Sequence, residues 1–159
     1  MATTDIYNAE FMDHVAHPDY KYQMDDPTYT HEGVNPSCGD ELNFSVRMAD
    51  DGTIDEAAFT GHGCAISQAS ADIMSDLMVG KTPEEAVRLC KLFGQMVRGE
   101  ETDDNVLEQL EDATVLKDIA HMPARVKCAE LAWRTLEEML EAHGTTAGGS
   151  GTGQASGEA

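Results

Sequence analysis

One β-hairpin set among helical periodicities predicts a fold of mixed α and β type. Three observations carry that expectation. Leu42, Phe44, Val46 and Met48 alternate with Asn43, Ser45 and Arg47, the two-residue period of a half-buried strand. Asp51-Gly52 follows as a two-residue turn signal, and Thr53–Thr60 returns as the partner strand. From Cys64 the apolar period lengthens to that of a helix, with Ile66, Ala69, Ile73 and Leu77 on one face up to Gly80.

The other elements follow in chain order. Ile6, Ala9, Met12 and Ala16 share a helical spacing that predicts a first helix over residues 5–17, stopped at His17-Pro18. Residues 19–37, rich in Asp, Pro and Tyr, read mostly as loop. Thr82 as cap, Pro83 in the first turn and Glu85 closing a capping box start another helix, whose stripe is Ala86, Cys90, Phe93 and Val97 before Gly99. The acidic stretch 100–122 suits short helical turns anchored by Leu107, Leu110, Val115 and Leu116. Pro123 begins the last helix, with Val126, Ala129, Trp133, Leu136 and Leu140 facing inward. Residues 144–159 are Gly-, Ser- and Thr-rich with nothing to bury, so a disordered tail is expected after a domain spanning residues 1–143. No internal repeat interrupts this order.

Composition narrows the function. The 159 residues suit one domain with one core. Thirty acidic residues against ten basic ones give a formal charge of −20. That balance argues against nucleic acid, whose phosphates need Lys and Arg, and against anionic membrane surfaces. It describes a solvated surface, and it matches a halophilic cytoplasm, where salt near 1 M shortens the screening length to about 3 Å. No signal peptide and no run of roughly 20 apolar residues is present, so a cytoplasmic protein is expected. Without export, the four cysteines suit metal or redox use better than disulfides.

Three of those cysteines stand where backbones could aim them at one point. Cys38 lies in the loop Asn35-Pro36-Ser37-Cys38-Gly39-Asp40, with Asp40 two residues on. The hairpin brings that loop beside Cys64, because Cys38 precedes its first strand and Cys64 follows its second. Cys64 opens a helix, whose unpaired amide hydrogens favour a thiolate. Cys128 follows Pro123 near another helix start, with Arg125 and Lys127 as neighbouring charges. Three thiolates and Asp40 make four anionic ligands, the number a tetrahedral zinc ion accepts. The same spacing also suits three small buried hydrophobes, since no Cys-x-x-Cys pair sharpens it. Arg125 and Lys127 fit either surface charges or supporting residues beside Cys128. Cys90 falls in an apolar stripe and reads as core. His62 is a neighbour of the site or an alternative ligand, while His121 and His143 carry no role. No phosphate-binding loop, nucleophile elbow or dinucleotide fingerprint occurs.

The motifs Asn35-Pro36-Ser37-Cys38-Gly39-Asp40, Gly63-Cys64-Ala65-Ile66-Ser67 and Pro123-Ala124-Arg125-Val126-Lys127-Cys128, in that order, resemble the SufU branch of the U-type iron–sulfur cluster assembly family. That family includes IscU and the N-terminal domain of NifU. The resemblance covers roughly residues 5–142. Phe11-Met12-Asp13-His14 and His17-Pro18 resemble its first helix, and Lys127 stands where IscU has a histidine. The segment between Gly99 and His121 resembles the extra one SufU carries. The resemblance implies an α+β fold, a small antiparallel sheet packed against several α-helices. It implies zinc held by Cys38, Asp40, Cys64 and Cys128, and Cys38 as acceptor of persulfide sulfur from a SufS-type cysteine desulfurase. The protein would then be a sulfurtransferase working with downstream Fe–S assembly proteins. The alternatives are a scaffold for a [2Fe–2S] cluster on the same four residues, in which case it is no enzyme, and an inert zinc-stabilised regulator of the desulfurase.

Overall fold

A computed structural model describes residues 9–37 and 39–143. Its sheet is an antiparallel meander of three strands, β1 (Tyr29–Asn35), β2 (Asp40–Met48) and β3 (Ile54–His62), in that spatial order. Among the described residues five helices accompany it: α1 (Ala9–Ala16), α2 (Ala65–Met78), α3 (Pro83–Val97), α4 (Asp104–Leu107) and α5 (Val126–His143). Two 3-10 segments, Glu108–His121 and Pro123–Arg125, join α4 to α5. This is the α+β architecture expected. No helix among the described residues is long and apolar enough to cross a membrane.

The hairpin forms in the expected place, with Phe44 opposite Phe59 and Val46 opposite Ala57. Its connection is longer than a two-residue turn. Residues 49–53 form the loop, closed by the Gly52 N–H donating to the Ala49 carbonyl (3.0 Å), and the Asp51 side chain accepts from the Thr53 N–H (3.0 Å) and hydroxyl (2.6 Å). Those bonds to its charged form hold the Asp51 carboxyl below its usual range. Gly52 at φ +89° takes the left-handed conformation that a side chain would resist.

Residues 19–37 are not all loop, because β1 runs through them. Its inward positions are Tyr29, His31, Gly33 and Asn35, while Val34 points to solvent and is 52% exposed. An apolar alternation is therefore absent, and the strand exists because β2 and α5 supply partners. Gly33 is required by that contact, since a Cβ there would overlap the Thr135 hydroxyl on α5. At the other edge the Phe59 N–H donates to the Tyr20 carbonyl (2.9 Å), covering β3.

α2 is buried nearly all round, beyond the single face read from Ile66, Ala69, Ile73 and Leu77. It lies between the sheet, α1 and α5, and its remaining buried positions are small Ala71, the hydrogen-bonded Ser67, Ser70, Asp72 and Ser75, and the flexible Met74 and Met78. Ser70 donates to the Ala129 carbonyl (2.7 Å) and accepts from the Trp133 indole N–H (2.8 Å). Buried Asp72 accepts from the Tyr20 N–H (2.9 Å) and faces His14 Nδ1 at 2.7 Å. These bonds offset the cost of dry polar groups. They also turn α1: Phe11 is its buried anchor, while Met12, expected inside, is 43% exposed. Ile6 lies outside the described residues, as does the tail 144–159.

The acidic stretch packs with a period of three. Leu107, Leu110, Ala113, Leu116 and Ile119 are all buried, and side chains three apart eclipse one another along a 3-10 helix. Val115, expected among the anchors, is only half-buried. Glu111 breaks the run at φ 50°, ψ −124°. On α3 the Thr82 hydroxyl caps the helix by accepting from the Glu85 N–H (3.2 Å), and the Glu85 carboxylate meets Arg88 at 3.4 Å. Pro123 opens a short 3-10 turn ahead of α5, and Val126 is half-buried while Ala129, Trp133, Leu136 and Leu140 are fully inside. Phe93 and Trp133 stack at 4.0 Å between α3 and α5.

Candidate metal centre

The antiparallel register fixes where the site forms. Asn35 pairs with Asp40 across β1 and β2, and Glu41 pairs with His62 across β2 and β3. The end of β3 therefore delivers Gly63 and Cys64 beside Asp40. Cys64 is the N-cap of α2, in extended conformation, and its sulfur accepts from the Ser67 N–H at 3.4 Å. The Ser67 hydroxyl donates to the Cys64 carbonyl (3.0 Å) and the Gln68 amide to the Gly63 carbonyl (2.9 Å), pinning this corner. Gly63 is small for a reason. A Cβ there would overlap the Ser67 hydroxyl and come within 2.7 Å of Asp40 Oδ1.

Asp40 is fully buried. One carboxylate oxygen, Oδ1, accepts from the Cys64 N–H at 2.9 Å. The other, Oδ2, is buried with no hydrogen-bond partner among the described residues. A buried carboxylate oxygen left this way is costly unless something cationic meets it. Two sulfurs stand near it. The donor atoms of Asp40, Cys64 and Cys128 all lie within 4.8 Å of one another. Cys128, on the first turn of α5, is fully buried, and the Asn35 amide nitrogen lies 4.0 Å from its sulfur.

These donors fit a zinc ion: two thiols and a carboxylate converge, and one carboxylate oxygen has no hydrogen-bond partner among the described residues. Cys38 lies outside the described residues, between Ser37 and Gly39 in the connection from Asn35 to Asp40.

The remaining candidates separate from this cluster. His62 is exposed, with Nε2 3.4 Å from Glu41 Oε1, its partner in register. Arg125 and Lys127 are exposed, at the start of α5, and Lys127 borders a shallow cleft with Asn35, Val34 and Arg134. Cys90 is buried on α3 in the core as expected, and burial pushes its thiol well above the ordinary value. His143 stacks on Tyr29 at 4.4 Å, and His121 is exposed. One member of the site had no role assigned from sequence. Asn35 belongs to the first motif, but only the register opposite Asp40 shows that its amide reaches Cys128.

The family model of the NifU-like N terminal domain matches residues 6–129. The IscU iron–sulfur cluster assembly scaffold protein of Thermotoga maritima is 39% identical over 136 residues, covering 86% of this chain and 93% of its own. The zinc-dependent sulfurtransferase SufU of Bacillus subtilis is 36% identical over 133 residues, covering 84% and 88% respectively. The crystal structure of FiSufU from Fervidobacterium islandicum AW-1 superposes with a TM-score of 0.77 at 37% identity, over 87% of this chain and 98% of the other.

Proposed function

Because this chain belongs to the NifU-like N terminal domain family, we propose that it serves iron–sulfur cluster assembly as a zinc-bound sulfur carrier, with Cys38 as the acceptor. The observation that carries the reading is the buried Asp40 Oδ2, without a hydrogen-bond partner among the described residues, beside two cysteine sulfurs. Zinc would be held by Cys38, Asp40, Cys64 and Cys128. When bound it supplies a redox-silent positive charge that keeps cysteines as thiolates.

The chain's own residues divide the work. Cys64 is fixed by its capping position and Cys128 by its burial on α5. Cys38 belongs to a short connection next to Gly39, whose φ of +74° suits a tight bend. The reaction is thiol–persulfide exchange with a cysteine desulfurase of the SufS type. The Cys38 thiolate attacks the outer sulfur of the enzyme's persulfide. A bond forms between Cys38 Sγ and that sulfur, the donor's S–S bond breaks, and the donor cysteine leaves as thiolate. Electrons balance without an oxidant. The carried sulfur then passes to downstream Fe–S assembly proteins.

A second reading is supported by relatives named scaffold proteins: the same donors would accept a [2Fe–2S] cluster as cargo. Metal analysis and an absorption spectrum of anaerobically purified protein separate the two. Colourless protein with one zinc per chain supports the carrier, and brown protein with iron and sulfide supports the scaffold. For the carrier, adding the protein to a SufS-type desulfurase with cysteine should raise alanine output, and Cys38→Ser should abolish the increase. Equal stimulation by Cys38→Ser would remove Cys38 as acceptor.

A further inference from the structure

We infer that Asn35 is a positioning residue of the metal centre, its side-chain amide donating a hydrogen bond to the metal-bound thiolate of Cys128. The assignment rests on the zinc reading above and goes beyond the four ligands. Asn35 ends β1 with its side chain inside, although its neighbour Val34 faces water. An amide is dry at a strand end only at a cost, unless a partner meets it. The observed partner is Cys128 Sγ, 4.0 Å from Nδ2, a long contact suited to the large sulfur atom. A thiolate accepts and cannot donate, so the nitrogen is the end of the amide that must face it.

The other described ligands show the same provision. Cys64 Sγ accepts from the Ser67 N–H at 3.4 Å, and Asp40 Oδ1 accepts from the Cys64 N–H at 2.9 Å. Four anionic ligands around a divalent cation leave surplus negative charge, and N–H donors draw it off the ligand atoms inside a dry site. Two of these donors are backbone groups that mutation cannot delete. Among the donors described, Asn35 is the one supplied by a side chain. Its removal need not disturb the Asn35–Asp40 turn, which is held separately by the Gly39 N–H on the Asn35 carbonyl (2.9 Å).

Cobalt(II) in place of zinc gives the test, because thiolate-to-cobalt charge-transfer bands report charge on sulfur. The bands should move to longer wavelength in Asn35→Leu, which keeps a buried side chain without the donor, and zinc affinity by chelator competition should weaken about tenfold. Asn35→Ala gives the same readout should the leucine variant fail to fold. Unchanged band energies in the folded variant would overturn the assignment even if affinity or melting temperature fell, since packing alone would explain that loss. A parent chain that takes up neither cobalt nor zinc would defeat the metal reading itself, and this inference with it.

Discussion

Cys90 and Cys128 sit on helices packed against each other, and both are buried, yet they are different chemical objects. Burial dominates at Cys90, with Glu137 and Glu141 adding to it and Lys91 opposing, and its thiol is pushed well above the usual value, so it stays protonated and serves as a small hydrophobe. Cys128 is equally dry but has a carboxylate and a second sulfur within 4.8 Å, and an amide nitrogen at 4.0 Å. Burial therefore does not distinguish a candidate metal ligand from a core cysteine. The groups that face the sulfur do, and here they arrive from three segments: the start of β2, the cap of α2 and the end of β1.

The largest expected difference between the two is in metal. Cys64→Ala and Cys128→Ala should each lose stoichiometric zinc, whereas Cys90→Ala should keep it. A site held near a thousandfold above its dissociation constant contributes about 4 kcal/mol, so each ligand variant should melt about 10 °C lower than zinc-loaded parent. Metal analysis and thermal melts check both. Full zinc in both ligand variants would erase the contrast. Next comes Cys90→Ser, which puts a hydroxyl among apolar side chains and should cost about 1–3 kcal/mol with zinc content unchanged. Denaturant titration measures it.

How much of this was readable beforehand differs by region, for physical reasons. The β2–β3 hairpin and α2, α3 and α5 were legible because large apolar residues repeat at strand or helix period. β1 was not, since Tyr29, His31, Gly33 and Asn35 are its inward set and the apolar Val34 faces out. The period of three in Leu107, Leu110, Ala113, Leu116 and Ile119 matches neither strand alternation nor the α-helical repeat, so it does not stand out as one element in the sequence. In α1, Phe11 displaced Met12 from the core because His14 must reach Asp72. At the site, spacing left the cysteines open between ligands and core. The resemblance selected three motifs, and the fold brings Asp40, Cys64 and Cys128 together. Asn35's contact depends on register, which no local pattern in β1 announces.

Two smaller effects lie outside the proposed ligand set and should leave metal untouched. Glu111, at φ 50° and ψ −124°, occupies a conformation suited to glycine. Glu111→Gly should stabilise the chain by about 1 kcal/mol, read from denaturant midpoints; a loss would show the backbone there to be unstrained. The smallest effect concerns Glu130, in the cleft with Cys90 and Arg98. Burial raises its carboxyl above the usual value of 4.5, with Arg98 pulling it back down. A raised folded value means that its contribution is full below the unfolded value and is lost as pH rises through the folded one. Glu130→Gln should therefore gain on the parent in melting temperature as pH rises from about 4 toward neutral. A difference that is constant across that range would contradict the sign.

On the proposed reading, the chain carries sulfur on Cys38 and not on its buried thiols. The direct measurement is peptide mass spectrometry of zinc-loaded protein after incubation with a SufS-type desulfurase and cysteine, with persulfides trapped by alkylation. One added sulfur on the peptide containing Cys38, absent in Cys38→Ser and absent from the Cys90 peptide, is the result predicted. Sulfur on Cys90, or none on Cys38 while the desulfurase turns over, would contradict it.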